Sequence, residues 1–175
     1  MKETFLPFAK YNEEANKAAA GILGKLTNDD REKNRKSYYG SLSGLFRHVA
    51  GCTVYFLSLT KEAVSTNAEA LKAMAPLAKV EIPKGKLTEA QWKKLVSDTK
   101  IVDKAFVQFV GALRDQDYDA PVKLDWYKGK PPSVPLRYIL MEQVVHNTHH
   151  RGQISQILDS LKVDNDYSGI NVKFL

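Results

Sequence analysis

The chain has 175 residues, 43% of them hydrophobic, and a formal net charge of +6, a length and apolar content that suit one globular domain over residues 1–175 with a core of its own. The single cysteine, Cys52, excludes an intramolecular disulfide framework, and Lys, Arg, Glu or Asp interrupts every apolar run before it reaches the ~20 residues of a membrane span. The first ten residues lack the unbroken apolar stretch of a signal peptide, so a soluble cytoplasmic protein is expected, and the interleaving of Lys and Arg with Asp and Glu disfavours nucleic acid as a partner.

Residues 5–26 place Phe8, Tyr11, Ala15, Ala18, Ala19 and Ile22 at three- and four-residue spacings, the mark of an amphipathic helix whose alanines allow close packing. Residues 27–39 form a long, charged connection, and Gly40 and Ser41 mark its end and the next helix start. The second helix, residues 41–60, directs Leu42, Leu45, Val49, Cys52, Phe56 and Leu59 inward, with His48 flanking that face. Residues 63–87 are a connector with a short helix near 68–75, after which Pro76 and Pro83 prevent a longer one. Thr88 and Gln91 have capping-box spacing and open a helix that runs to about residue 113, burying Trp92, Leu95, Val96, Thr99, Val102, Ala105, Phe106 and Phe109. The alternation of Val122, Leu124 and Trp126 before Gly129 predicts a short extended or hairpin segment ahead of Pro131 and Pro132. Ser133 is the expected N-cap of the last helix, which runs to about residue 161. Four long helices, with a short extra helix and a small hairpin in the connections, make the fold class all-α, a four-helix bundle.

The inward stripe of the last helix carries the chemistry. It reads Leu136, Ile139 and Leu140, then Gln143, His146, Asn147, His150 and Gln153, then Ile154, Ile157 and Leu161, apolar at the ends and polar in the middle. Burying a polar side chain without a partner costs on the order of 1 to 3 kcal/mol, so five of them at one level need a shared polar cavity or an ion. His146 and His150 are one helical turn apart and can converge on one metal ion, and the inward-facing His48 on another helix supplies a third neutral imidazole. His48, His146 and His150 are therefore assigned as ligands of a divalent metal, zinc or nickel first, with iron and manganese also compatible. His149 falls on a different face.

Other residues carry two readings each. Cys52 is either a fourth ligand or nucleophile or a small core residue, and the core reading is favoured. Glu142 either orients an imidazole or acts as a base, or forms an outward salt bridge. Gln143, Asn147 and Gln153 serve the histidines, a bound water or a substrate, or else only a polar network; Arg151 pairs with a buried carboxylate or, less readily, with an anionic substrate. No residue is assigned as catalytic, with Gln143, Glu142 and Gln153 as the candidates.

The run His146-Asn-Thr-His-His150-Arg-Gly-Gln153 resembles the H-x-x-H-H-R-G-Q signature of the DinB-like family, part of the DinB/YfiT superfamily of four-helix-bundle proteins. Phe8-Ala-Lys-Tyr11-Asn12-Glu-Glu-Ala-Asn16 and the segment from Tyr39, Gly40 and Ser41 to His48 agree with it, so the resemblance covers nearly the whole chain. It implies an up-down-down-up bundle, commonly dimeric, holding a metal through three histidines, here His48, His146 and His150. It implies further a metal-dependent enzyme, a thiol-dependent S-transferase or a related hydrolase or isomerase, acting on a small molecule with a low-molecular-weight thiol, as a homodimer with no membrane partner. The alternative is a non-catalytic dimeric bundle with a structural or sensing metal site. One departure stands out: many relatives have an acidic residue and then a tryptophan after the second-helix histidine, where this chain has Cys52 through Phe56.

Overall fold

The computed structural model describes residues 1–124, 128, 133–167 and 169. Among them are the α-helices α1 (Lys2–Leu23), α2 (Asn28–Glu32), α3 (Leu42–Leu59), α4 (Ala68–Met74), α5 (Glu89–Ala112) and α6 (Leu136–Ser160). No helix among the described residues is long and apolar enough to cross a membrane. Local chemistry sets several of these starts by satisfying amides that a helix leaves unpaired. Ser41 accepts from the Gly44 amide to begin α3, and Thr88 and Gln91 form the reciprocal capping box of α5.

Two connections differ from the sequence expectation. The charged stretch 27–39 contains α2, whose five residues are too few to show an apolar period; Thr27 caps it by accepting from the Asp30 amide. Buried Arg31 ties this segment down, donating to the Leu23 and Leu26 carbonyls, pairing with Glu89 and lying 5.0 Å above the Trp92 ring. The second difference is Ser133, which does not cap α6. It lies in β2 (Ser133–Pro135), paired antiparallel with β1 (Pro121–Lys123), and Pro135 stands at the N-cap instead. A residue before proline is kept out of the helical region, so Val134 stays extended and the helix begins only after Pro135. The expected hairpin forms around Val122, while Trp126, Gly129, Pro131 and Pro132 lie outside the described residues.

The long helices close a ring in the order α1, α5, α3, α6, with α1 against α5 and α3 against α6 as the most extensive pairs. Two separate apolar clusters fill its ends. One gathers Phe5 and Ala9 of α1, Phe56 and Leu57 of α3, Phe106 and Phe109 of α5, and Leu136 and Ile139 of α6. The other gathers Ala19 and Leu23, Leu42 and Leu45, Trp92 and Leu95, and Ile154 and Leu158 of the same helices. The start of α1 and the start of α6 thus share an end with the close of α3 and of α5, which is the up-down-down-up order.

A polar layer separates the clusters. Asn12, Asn16, Thr53, Asp103, Gln143, Asn147 and Arg151 are all buried there. Arg151 Nη1 donates to Asn12 Oδ1 at 2.7 Å and to Asn16 Oδ1 at 2.9 Å, and both asparagine amides donate onward to Asp103 Oδ1 at 3.2 and 2.8 Å. Asn147 Nδ2 donates to Asn12 Oδ1 and to Thr53 Oγ1, which also receives Gln143 Nε2 at 2.6 Å. The polar break in the α6 stripe therefore crosses the whole bundle. Its α1 contribution comes from Asn12 and Asn16, because that helix is turned so that they, rather than Phe8, Ala18 and Ile22, are buried.

Candidate metal centre

His48 stands in the second turn of α3, and His146 and His150 stand one turn apart in the middle of α6, across the seam between these antiparallel helices. Their Nε2 atoms converge: His48 Nε2 lies 3.0 Å and His150 Nε2 3.2 Å from His146 Nε2. A tetrahedral ion with metal–nitrogen distances of about 2.0 to 2.1 Å holds its nitrogens about 3.3 Å apart, so these residues fit a divalent ion. Nitrogens this close cannot all carry protons toward one another. Burial, then the neighbouring His150, His146 and Arg47, push the His48 pKa down to about 4. Burial also lowers His146 and His150, partly offset by the Asn147 and Gln153 side chains respectively. Neutral imidazoles with free lone pairs are the form a metal requires.

Neighbouring side chains fix the rings. His150 Nδ1 lies 2.7 Å from Gln153 Oε1. Tyr39 stacks on His48 with centroids 3.8 Å apart and meets His150 edge-on at 5.3 Å, while Phe56 meets His146 edge-on at 5.7 Å. The loop bearing Tyr39 can lie on the first turn of α3 only because residue 44 is glycine: a Cβ there would sit 2.1 Å from the Tyr39 carbonyl oxygen.

Cys52 is not a fully buried core residue. It is half-buried at the edge of an apolar cluster, one turn after His48, with Sγ 3.4 Å from His48 Nε2 and 3.5 Å from Nδ1. The donor atoms of His48, Cys52 and His146 all lie within 4.8 Å of one another. Burial raises its thiol pKa to about 11.

The remaining candidates divide cleanly. Glu142 and His149 are exposed, His149 touching His150 edge-on at 4.9 Å. Gln143 faces Thr53 in the polar layer, whereas Gln153 contacts a histidine directly. Arg151 reaches the buried carboxyl of Asp103 through Asn12 and Asn16. Burial raises the Asp103 pKa well above the carboxylate range, against the Asn16 hydrogen bond and the Arg151 charge. The sequence placed Asn12, Asn16 and Tyr39 only within segments that agree with the family pattern, without a role at this site, and did not single out Thr53 and Asp103. A further signal was the i, i+4 spacing of Asn12 and Asn16, the same spacing as that of Asn147 and Arg151, which they meet.

The family model described as DinB family matches residues 1–162. No curated protein and no solved structure matches the chain.

Proposed function

The chain belongs to the DinB family, and on that premise we propose that it is a metal-dependent enzyme, with His48, His146 and His150 as ligands and a thiol-dependent S-transfer, or a related hydrolysis or isomerisation, as its reaction. The observation that carries this reading is the approach of His48 Nε2 and His150 Nε2 to within 3.0 and 3.2 Å of His146 Nε2 at the α3–α6 seam. His48, His146 and His150 would hold a divalent ion there, zinc or nickel before iron or manganese, which would supply Lewis acidity to lower the pKa of a low-molecular-weight thiol. The chain's own residues prepare the point. Gln153 accepts from His150 Nδ1 and so directs the His150 Nε2 lone pair inward; Tyr39 covers one face of His48 and keeps water from it. Glu142 is exposed and Gln143 donates to Thr53, whereas Gln153 contacts His150 directly, which makes Gln153 a positioning residue rather than a catalytic one. The thiol class rests on the family resemblance, and the small-molecule substrate goes with it.

The homodimer belongs to the same proposal. Tyr138, Met141 and Val145, spaced i, i+3 and i+7, are 54%, 51% and 64% exposed on the face of α6 turned from the core, an apolar stripe that supports a second copy docking there.

Metal content of tag-free protein and of His146→Ala and His150→Ala variants, paired with conjugation of a small thiol to a model electrophile, tests the reading. One ion per chain, lost in both variants together with conjugation, is expected. Unchanged stoichiometry in the variants overturns the ligand set.

One observation favours a second reading, a non-catalytic bundle with a structural or sensing centre: the donor atoms of Cys52, His48 and His146 lie within 4.8 Å of one another, and structural sites are closed by protein donors. Collapse of the fold on metal removal, without thiol conjugation, would decide for it.

A further inference from the structure

The buried polar layer comes to the surface on the side of the bundle away from the histidines. The order of the helices sets the α1–α5 seam opposite the α3–α6 seam, and a groove of about 730 Å³ opens along it. Small residues of α1 make the opening: Ala20 and Gly21 line it beside Val96 and Thr99 of α5, and a Cβ on Gly21 would meet nothing within 4 Å. Asn16 and Asp103 of the polar layer, 1% and 3% exposed, form part of the same wall. We infer that this groove is a binding site for a small molecule carrying both an ammonium group and a carboxylate, the class of amino acids and short peptides. The site is separate from the metal centre, and the inference stands whether or not the histidines hold an ion.

Asp103 carries the argument. Its Oδ1 accepts from Asn12 Nδ2 at 3.2 Å and from Asn16 Nδ2 at 2.8 Å, while no group among the described residues donates to Oδ2. A carboxyl this deeply buried gains from a donor on each oxygen, and the groove is the side from which a second donor can come. Arg151 does not fill that role, since its guanidinium is engaged by the oxygens of Asn12 and Asn16. Glu13, on the α1 wall, lies close enough for its charge to join burial in raising the Asp103 pKa. Two neighbouring acids are best served by a positive group with several N–H donors, which an ammonium supplies and a hydroxyl does not.

The rim supplies the other half. Lys100 and Lys104 stand one turn apart on α5, exposed, with no ion pair among the described residues, whereas Lys17 on the facing helix is held by Glu14 at 3.6 Å. Two lysines at i, i+4 share a face and can close on one carboxylate. A simple anion would be repelled by Asp103 and Glu13, and a simple cation by the lysines, so the charges select a molecule with both signs.

Amide chemical shifts of isotope-labelled full-length protein, followed during titration with L-alanine, β-alanine and L-alanyl-L-alanine, test the site. Propionate and ethylammonium, which carry one group each, are the controls. At least one of the first three should give saturable shifts at Asn16 and Asp103 in the millimolar range, and neither control should. Asp103→Asn keeps an acceptor for the two asparagines but turns an amide N–H toward the groove, and should weaken binding about tenfold or more. The double substitution Lys100→Glu and Lys104→Glu alters only exposed positions and should weaken it similarly, which decides the matter even where Asp103→Asn fails to fold. Absence of saturable shifts with all three probes, equal binding of either control, or binding unchanged by the double lysine substitution overturns the proposal.

Discussion

His150 Nδ1 donates to Gln153 Oε1 across 2.7 Å, three residues further along the same helix. An amide oxygen can only accept, so this contact places the His150 proton on Nδ1 and leaves Nε2 free to face His146. Replacing Gln153 by Ala should weaken metal affinity about 10- to 100-fold, as loss of an outer partner of a ligand histidine does, with little change in folding. Competition against a chelator of known affinity measures this, and an unchanged affinity would remove Gln153 from the centre.

Arg151 is 2% exposed and donates to Asn12 and Asn16, which in turn hold Asp103. Arg151→Met takes the Arg151 donor from Asn16 Oδ1, leaves Asn12 Oδ1 with Asn147 Nδ2 in place of two donors, and removes the guanidinium from this buried set. Removing one partner of a buried charged network costs about 3 to 5 kcal/mol. A urea midpoint lowered by that amount is expected; a loss under about 1 kcal/mol would mean that the layer repacks around the gap.

Asp117 joins the end of α5 to the start of α4. Its Oδ2 accepts from Asn67 Nδ2 at 2.6 Å and from the Arg114 amide at 2.8 Å, and Oδ1 accepts from Arg114 Nη2. Burial pushes this carboxyl up, but the Arg114 side chain and amide and the Asn67 side chain outweigh it and hold its pKa below the usual value. The unfolded chain loses that hold, so the stabilisation is complete above the unfolded pKa of about 4 and is lost as pH falls through the folded value. Asp117→Asn should destabilise the protein by about 1 to 3 kcal/mol near neutral pH, and the gap to the parent protein should close as pH falls below the unfolded pKa of about 4 and through the lower folded value. Urea unfolding of both proteins across that range measures the gap.

The stripe of Tyr138, Met141 and Val145 predicts the effect of charge on association. Val145→Glu and Met141→Lys each place a charge in an exposed apolar face and should shift a dimer to monomer in analytical ultracentrifugation without lowering metal content. A parent protein that sediments as a monomer at micromolar concentration would dismiss this face as a self-association site.

The long helices were legible because their apolar positions repeat at helical spacing and their starts carry local chemistry, as at Ser41 and at the Thr88–Gln91 box. The histidine pair was legible from the interruption of the α6 stripe. What the sequence did not reveal depends on the phase between helices. Alanines in α1 occupy neighbouring faces, so the spacing of Phe8, Ala18 and Ile22 pointed about one residue away from the face that is buried, and Asn12 and Asn16 were missed as inward residues. Cys52 is compatible with an apolar stripe by residue type alone, and only the fold shows its sulfur within 4.8 Å of donor atoms of His48 on α3 and His146 on α6. Ser133 has good capping chemistry, but Pro135 two residues later dictates the backbone.

The polar layer midway along the bundle also forbids sliding. If α6 shifted by one turn, about 5.4 Å, Arg151 would leave Asn12 and Asn16, and Ile154 or Asn147 would arrive in its place without a guanidinium to offer them. Apolar ends alone tolerate such a shift, since Leu, Ile and Phe exchange neighbours cheaply. A hydrogen-bonded layer does not, because every misplaced member is left buried without its partner. Asn12, Asn16, Asp103, Asn147 and Arg151 thus act as an axial lock: they set the height at which α6 stands against α1 and α5, and with it the height at which His146 and His150 arrive opposite His48.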